Sequence, residues 1–150
     1  MFGLIGLATV MSFSYIYNRL PVRIEASLDK SLPYHIWVSL PYLDKPYIEF
    51  PVYFEDKYFK DAQFLIKILA CDEGHYLKVD KEKKYYCDNE YLGTALDTDK
   101  HGNPVKNFVW NGPVPKGKAF VIGTHPRSYD SRYFGFIEKS QIKRYLYPLF

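Results

Sequence analysis

Cysteine is scarce in this 150-residue chain, which has only Cys71 and Cys87. They form no CxxC pair and lie near no pair of histidines, which argues against a structural metal site. The four histidines, His35, His75, His101 and His125, are dispersed. No two have metal-ligand spacing on one element, so all four read as non-catalytic, and no metal or cofactor is expected. Charge of one sign is also lacking. The net charge is only +3, and Lys and Arg alternate with Asp and Glu. No basic stripe is present to track a nucleic acid, so nucleic acid is not an expected partner. Internal repeats and low-complexity segments are missing as well. With 47% apolar residues, a disordered chain is excluded.

The longest stretch without charge is the first. Phe2 to Tyr17 carries no Asp, Glu, Lys or Arg. As a helix it would span roughly 24 Å, slightly short of a hydrocarbon core of about 30 Å. A cleaved secretory signal would want a basic start and a small-x-small cleavage site, and neither is clear. A buried core helix is a second reading. An uncleaved signal anchor is the preferred one, since Tyr15 and Tyr17 suit a membrane interface. Arg19, Arg23 and Lys30 follow the stretch. By the positive-inside rule they would place the body in the cytoplasm, unless the natural N-terminus is longer. The expected division is an anchor over 1–18 and one domain over 19–150, a size that supports a sizeable core.

Aromatic residues, by contrast, are abundant: 15 Tyr, 11 Phe and 2 Trp. Pro and Gly are scattered, which favours short strands and turns over a helical bundle. Tyr34–Leu40 reads as a strand. Pro41 to Lys60 is rich in aromatics, and Pro46 and Pro51 make it edge-like or irregular. FLIKILA, Phe64 to Ala70, is a strand. Tyr76–Val79 and Tyr85–Cys87 make a hairpin, and Leu92 to Asn107 a polar surface loop. Lys118–Ile122 is a strand entered through a Pro-Lys-Gly turn. Ile142, Tyr145 and Leu146 fall on one face of a helix over Glu138 to Tyr147. The fold expected is mainly β, with a helix at each end.

Two features carry chemistry. Cys71 and Cys87 form a disulfide if the body lies outside the cytoplasm, worth roughly 3 kcal/mol for a loop of this size. Two buried thiols are the alternative. Lys67 interrupts FLIKILA. Side chains alternate along a strand, so Leu65, Lys67 and Leu69 share one face and Phe64, Ile66 and Ile68 the other. Either face is apolar. A buried lysine there favours its neutral form and can act as a general base. A lysine snorkelling to an edge is the bland alternative.

The segment VPKGKAFVIGTHPRSYDSRYFGF, Val114 to Phe136, resembles the C-terminal signature of type I signal peptidases. The resemblance runs through Pro115, Gly117, Phe120, Gly123, Ser128, Asp130, Ser131, Arg132, Tyr133, Phe134 and Gly135. FLIKILA resembles that family's segment around the catalytic lysine. Ser31-Leu32-Pro33 resembles its nucleophile motif Ser-x-Pro-x-Gly. Together these cover about residues 20 to 137. SYDSRYFG and the loop GTALDTDKHGN, Gly93 to Asn103, are most similar to the conjugative-transfer signal peptidases of the TraF type, as is the compact body. The chain departs from the pattern at three places. His35 replaces the motif Gly, Ile68 follows the lysine in place of Arg, and Glu73-Gly74-His75 replaces a Pro-Gly-Asp turn.

The resemblance implies a signal-peptidase-like antiparallel β-sheet body and a serine endopeptidase with a Ser-Lys dyad. Ser31 would be the nucleophile and Lys67 its base. Ser128 would orient the lysine, and Asp130 and Arg132 would pair to support that wall. If that segment is a strand, residues two apart share a face and can meet. Ser27 is a rival nucleophile without the Pro two positions on, and a helix or turn cap is the bland role of Ser31. The backbone N–H of Ser31 would hold the oxyanion, with Ser27 one candidate for a second donor. The implied substrate is a conjugative pilin precursor, which some TraF-type members also cyclise. The implied place is the inner membrane, with the body on the periplasmic side. A general signal peptidase, or an inactive pilin-binding protein, are the alternatives.

Overall fold

The computed structural model describes residues 23–26, 32–40, 47–51 and 64–150. The expected anchor, Ser27, Ser31 and most of the aromatic run lie outside these residues. Among the described residues no helix is long and apolar enough to cross a membrane.

The described chain is built almost wholly from antiparallel strands. They are β1 (Arg23–Ala26), β2 (Ile36–Leu40), β3 (Tyr47–Pro51), β4 (Phe64–Asp72), β5 (Tyr76–Val79), β6 (Lys84–Cys87), β7 (Glu90–Thr94), β8 (Gly112–Pro113), β9 (Lys118–Ile122), β10 (Ile137–Glu138) and β11 (Arg144–Pro148). One four-residue helix, α1 (Ser131–Phe134), sits between β9 and β10. A seven-stranded sheet runs β1-β2-β11-β3-β4-β9-β10, and a four-stranded sheet runs β7-β6-β5-β8.

β4 organises the body. Its apolar run is long enough to be covered on both sides, as an interior strand requires. Leu65 belongs to a buried cluster with Ile48, Phe50, Ala119, Val121 and Ile137. Ile66 belongs to another with Leu32, Trp37 and Leu146. Alternation along β4 thus divides its side chains between two layers, as expected. Pairing with β9 shifts register between Leu69 and Cys71. Past this bulge, Cys71 enters a third cluster with Leu77, Tyr85, Val114 and Phe120, between the two sheets. There Cys71 bonds Cys87 of β6, with the Cα atoms 5.6 Å apart. The disulfide ties one sheet to the other.

The expected strands and the β5–β6 hairpin form, with Leu77 opposite Cys87. Three expectations fail. Arg144–Pro148 is a strand, not a helix. It pairs with both β2 and β3, so Tyr145 and Leu146 go to opposite faces, one packed on each cluster. The spacing of Ile142, Tyr145 and Leu146 suits a helix equally well, and only the free sheet position between β2 and β3 decides. β3 is an interior strand, not an edge, because Pro51 stands at its end, where its missing N–H costs no ladder bond. The polar loop begins later than expected, since Leu92 to Thr94 belong to β7 and Ala95 is buried.

Candidate active site

β3 and β4 fix the position of Lys67. It stands opposite Ile48, on the same face as Phe50 and Leu65. This is the apolar face on which Phe134 of α1 packs. Lys67 is only 2% exposed, so it does not snorkel to an edge. Its predecessor Ile66 shares a buried cluster with Leu32, the residue that follows Ser31 in the chain. Toward its other neighbour, Ile68 pairs with Ile122. Continued one residue, that register sets Lys67 beside Gly123 at the end of β9.

The chain after β9 turns back over this face. Ser128 N–H donates to the His125 carbonyl at 2.8 Å, closing the turn. The Ser128 hydroxyl is buried, and Oγ has no hydrogen-bond partner among the described residues. A buried hydroxyl without a partner costs stability, so a reason for it is needed.

Asp130 and Arg132 meet, but not by the expected strand geometry. Asp130 is the N-cap of α1. Its Oδ1 accepts from Arg132 Nε at 2.8 Å, and its Oδ2 from Arg132 Nη2 at 2.7 Å. Both residues are buried. The same carboxylate caps the helix through Arg132 N–H, and accepts from Gly123 N–H at 2.9 Å. Ser131 Oγ accepts from Val121 N–H at 2.9 Å. The Asp-Ser-Arg box therefore staples α1 to the end of β9, beside the position of Lys67.

Arg132 extends the staple to the second sheet. Its Nη1 donates to the Thr94 carbonyl at 3.0 Å. Burial alone would lower the pKa of this guanidinium, but the hydrogen bonds and charge of Asp130 outweigh it and hold it above its ordinary value. Gly93 makes room for it. At φ +148° a side chain would be strained, and a Cβ would lie 3.1 Å from Arg132 Nη1. Tyr85 completes the wall. Its hydroxyl lies 2.6 Å from the Phe108 carbonyl and 3.0 Å from that of Arg132, with one proton to give. Burial, then the nearby Tyr133, push this phenol up to about 12. Sequence reasoning singled out neither Tyr85 nor Gly93. Tyr85 stood there only as an aromatic in a hairpin strand, and Gly93 only as the first residue of the loop likened to the TraF type.

Of the residues singled out from sequence, Lys67, Ser128, Asp130 and Arg132 are all buried. Asp130 and Arg132 are in direct contact. Ser31 and Ser27 lie outside the described residues. His125 closes the turn that carries Ser128 through its backbone carbonyl. His75 Nδ1 lies 2.6 Å from Asp88 Oδ2, on the far side of the disulfide, and His35 is exposed. His75 and Asp88 lie near Cys87 Sγ, but that sulfur is committed to the disulfide.

No curated protein sequence gives a match. A crystal structure of a signal peptidase I from Enterococcus faecalis V583 is similar, at 25% identity and a TM-score of 0.47, over 73% of this chain and 100% of that one. Residues 5–144 match the family described as "Signal peptidase, peptidase S26". That span takes in β4, the Asp-Ser-Arg box and the wall around them, and the chain belongs to this signal peptidase family.

Proposed function

We propose that the protein is a membrane-anchored serine endopeptidase in which Ser31 and Lys67 form the catalytic dyad. Its substrate is the signal peptide of a conjugative pilin precursor, cut on the outer face of the inner membrane. The observation that carries this reading is the burial of Lys67 on an apolar strand face, beside a wall held by a buried ion pair. Desolvation favours the neutral amine, which can take a proton. Ser31 Oγ bonds to the scissile carbonyl carbon while its proton passes to Lys67 Nζ. The C–N bond then breaks, and Lys67 returns the proton to the leaving amine. Water, deprotonated by the same lysine, then bonds to the acyl carbon, the Ser31 Oγ–C bond breaks, and Lys67 returns the proton to Ser31 Oγ. Ser128 Oγ makes no hydrogen bond to Lys67 in this structure, and its assigned role is to orient the lysine once the substrate is seated. Asp130 and Arg132 keep that wall rigid. Family membership supports signal-peptide cleavage. The pilin substrate, and cyclisation of the product, rest on the likeness of SYDSRYFG and the Gly93–Asn103 loop to the TraF type. The disulfide suits a body outside the cytoplasm.

Mass spectrometry of candidate pilin precursors incubated with the protein tests the whole reading, because it reports the cut, its position and any cyclic product together. Cleavage of general secretory preproteins, with pilin precursors left intact, would overturn the pilin assignment. A base that acts only when neutral gives a rate that rises with pH. A rate level down to about pH 5 would overturn the lysine base.

A further inference from the structure

A groove of about 360 Å³ lies between the loop after β7 and the turn that carries Ser128. Its floor is apolar: Leu96 and Val105 come from the loop, and Tyr129 and Tyr133 from the chain around α1. The two tyrosine rings stack, with centroids 5.4 Å apart and planes inclined by 14°. Tyr133 Oη accepts from Leu96 N–H at 3.0 Å, which fixes one wall to the other. Tyr129 and Tyr133 bracket Asp130 and Arg132 in the chain, so the groove shares its inner wall with the candidate active site.

The rim is cationic. Lys100 and Arg127 stand there, both exposed, and neither pairs with a carboxylate among the described residues. Asp99 also lines the groove, but its carboxylate is turned into its own loop. Oδ1 accepts from His101 N–H and Asn103 N–H, and the Asn103 side-chain amide bonds to Oδ2 at 2.9 Å. The neighbouring Asp97 pairs with Lys83. His125 Nδ1 accepts from Arg127 N–H at 3.1 Å. What remains at the mouth is an apolar slot under two cations that have no carboxylate partner among the described residues.

We infer that this groove binds a segment of the substrate polypeptide in which an aromatic or aliphatic residue is flanked by Asp or Glu, at a distance from the scissile bond. The inference rests on the proposed peptidase function, and deepens it by naming a second contact with the precursor. Charge complementarity selects an acidic segment, and the apolar floor selects the side chain between the acids. The shared wall favours a peptide that continues from the active site over a separate ligand.

The full chain can be tested with two labelled peptides. One carries Glu-Phe-Leu-Glu in a Gly-Ser background and the other Lys-Phe-Leu-Lys. Fluorescence anisotropy is expected to show binding of the acidic peptide only, weakening as salt rises. K100E with R127E should weaken it about tenfold, the effect of reversing two exposed charges. Both residues are exposed, so the variant should keep its thermal midpoint. It should also cut a short substrate that lacks an acidic segment as fast as the parent. Equal binding of both peptides, or no loss in the double variant, overturns the inference. Binding of anionic lipid vesicles in place of the peptide overturns it too. If the short substrate is not cut by either protein, the peptidase reading fails, while the anisotropy result still stands for the groove.

Discussion

Two buried basic residues, Lys67 and Arg132, lie in the same body in different surroundings. Arg132 is held by both oxygens of Asp130 and by the Thr94 carbonyl. Lys67 stands on the face formed by Ile48, Phe50 and Leu65. A guanidinium matched by a planar carboxylate keeps its charge and fixes geometry. An amine on an apolar strand face is the one suited to move a proton. On the proposed function, Arg132 serves structure and Lys67 serves proton transfer, and each role can be broken separately.

The largest effect should come from the chemical side. Ser31→Ala and Lys67→Ala should each lower cleavage of a membrane-anchored precursor by about 10⁴-fold or more, with the circular dichroism spectrum unchanged. If Ser31→Ala keeps near-normal activity, the nucleophile is wrong and Ser27 is the next to replace. On the structural side, Arg132→Ala or Asp130→Ala should cost about 3–5 kcal/mol, because each leaves a buried charge without its partner. Denaturant midpoints measure this. A loss under about 1 kcal/mol would show that the pair does not hold the wall.

The disulfide comes next. Replacing Cys71 and Cys87 by Ser should cost about 2–4 kcal/mol, since the bond closes a loop between the sheets. A thiol titration with and without reductant checks the bond itself, and two free thiols in the native protein would refute it. Tyr85→Phe should have the smallest effect at neutral pH, about 1–3 kcal/mol, for the carbonyls of Phe108 and Arg132 left short of a donor. Its effect grows in alkali. The folded protein keeps the Tyr85 proton until about pH 12, whereas an unfolded tyrosine loses it near 10. Between these values the unfolded state binds fewer protons, so stability falls as pH rises. Tyr85→Phe should flatten that fall, and thermal midpoints between pH 9 and 11 would show it.

β4 was legible because FLIKILA, seven residues apolar but for one lysine, needs no partner to be named a strand, and the period of two divides its faces. The Asp130–Arg132 pair was legible as a pair, but its geometry was not. Proximity in sequence allows a strand or a helix cap, and only the hydrogen bonds from Gly123 and Val121 select the cap. β11 was misread for the same reason. Five residues with apolar side chains on both faces satisfy either period, and the vacancy between β2 and β3 resolves them. Tyr85 and Gly93 were missed because their partners are far away in sequence.

The sequence by itself determined the mainly β class, the family motifs, and the one lysine set in an apolar run, since these depend on local composition and order. Only the tertiary structure decided that Lys67 is buried and not snorkelled, and that Arg132 bridges to β7. It alone joined Cys71 to Cys87 and formed a groove beside the active-site wall. Burial and pairing depend on which distant strands pack together, and local sequence does not encode that.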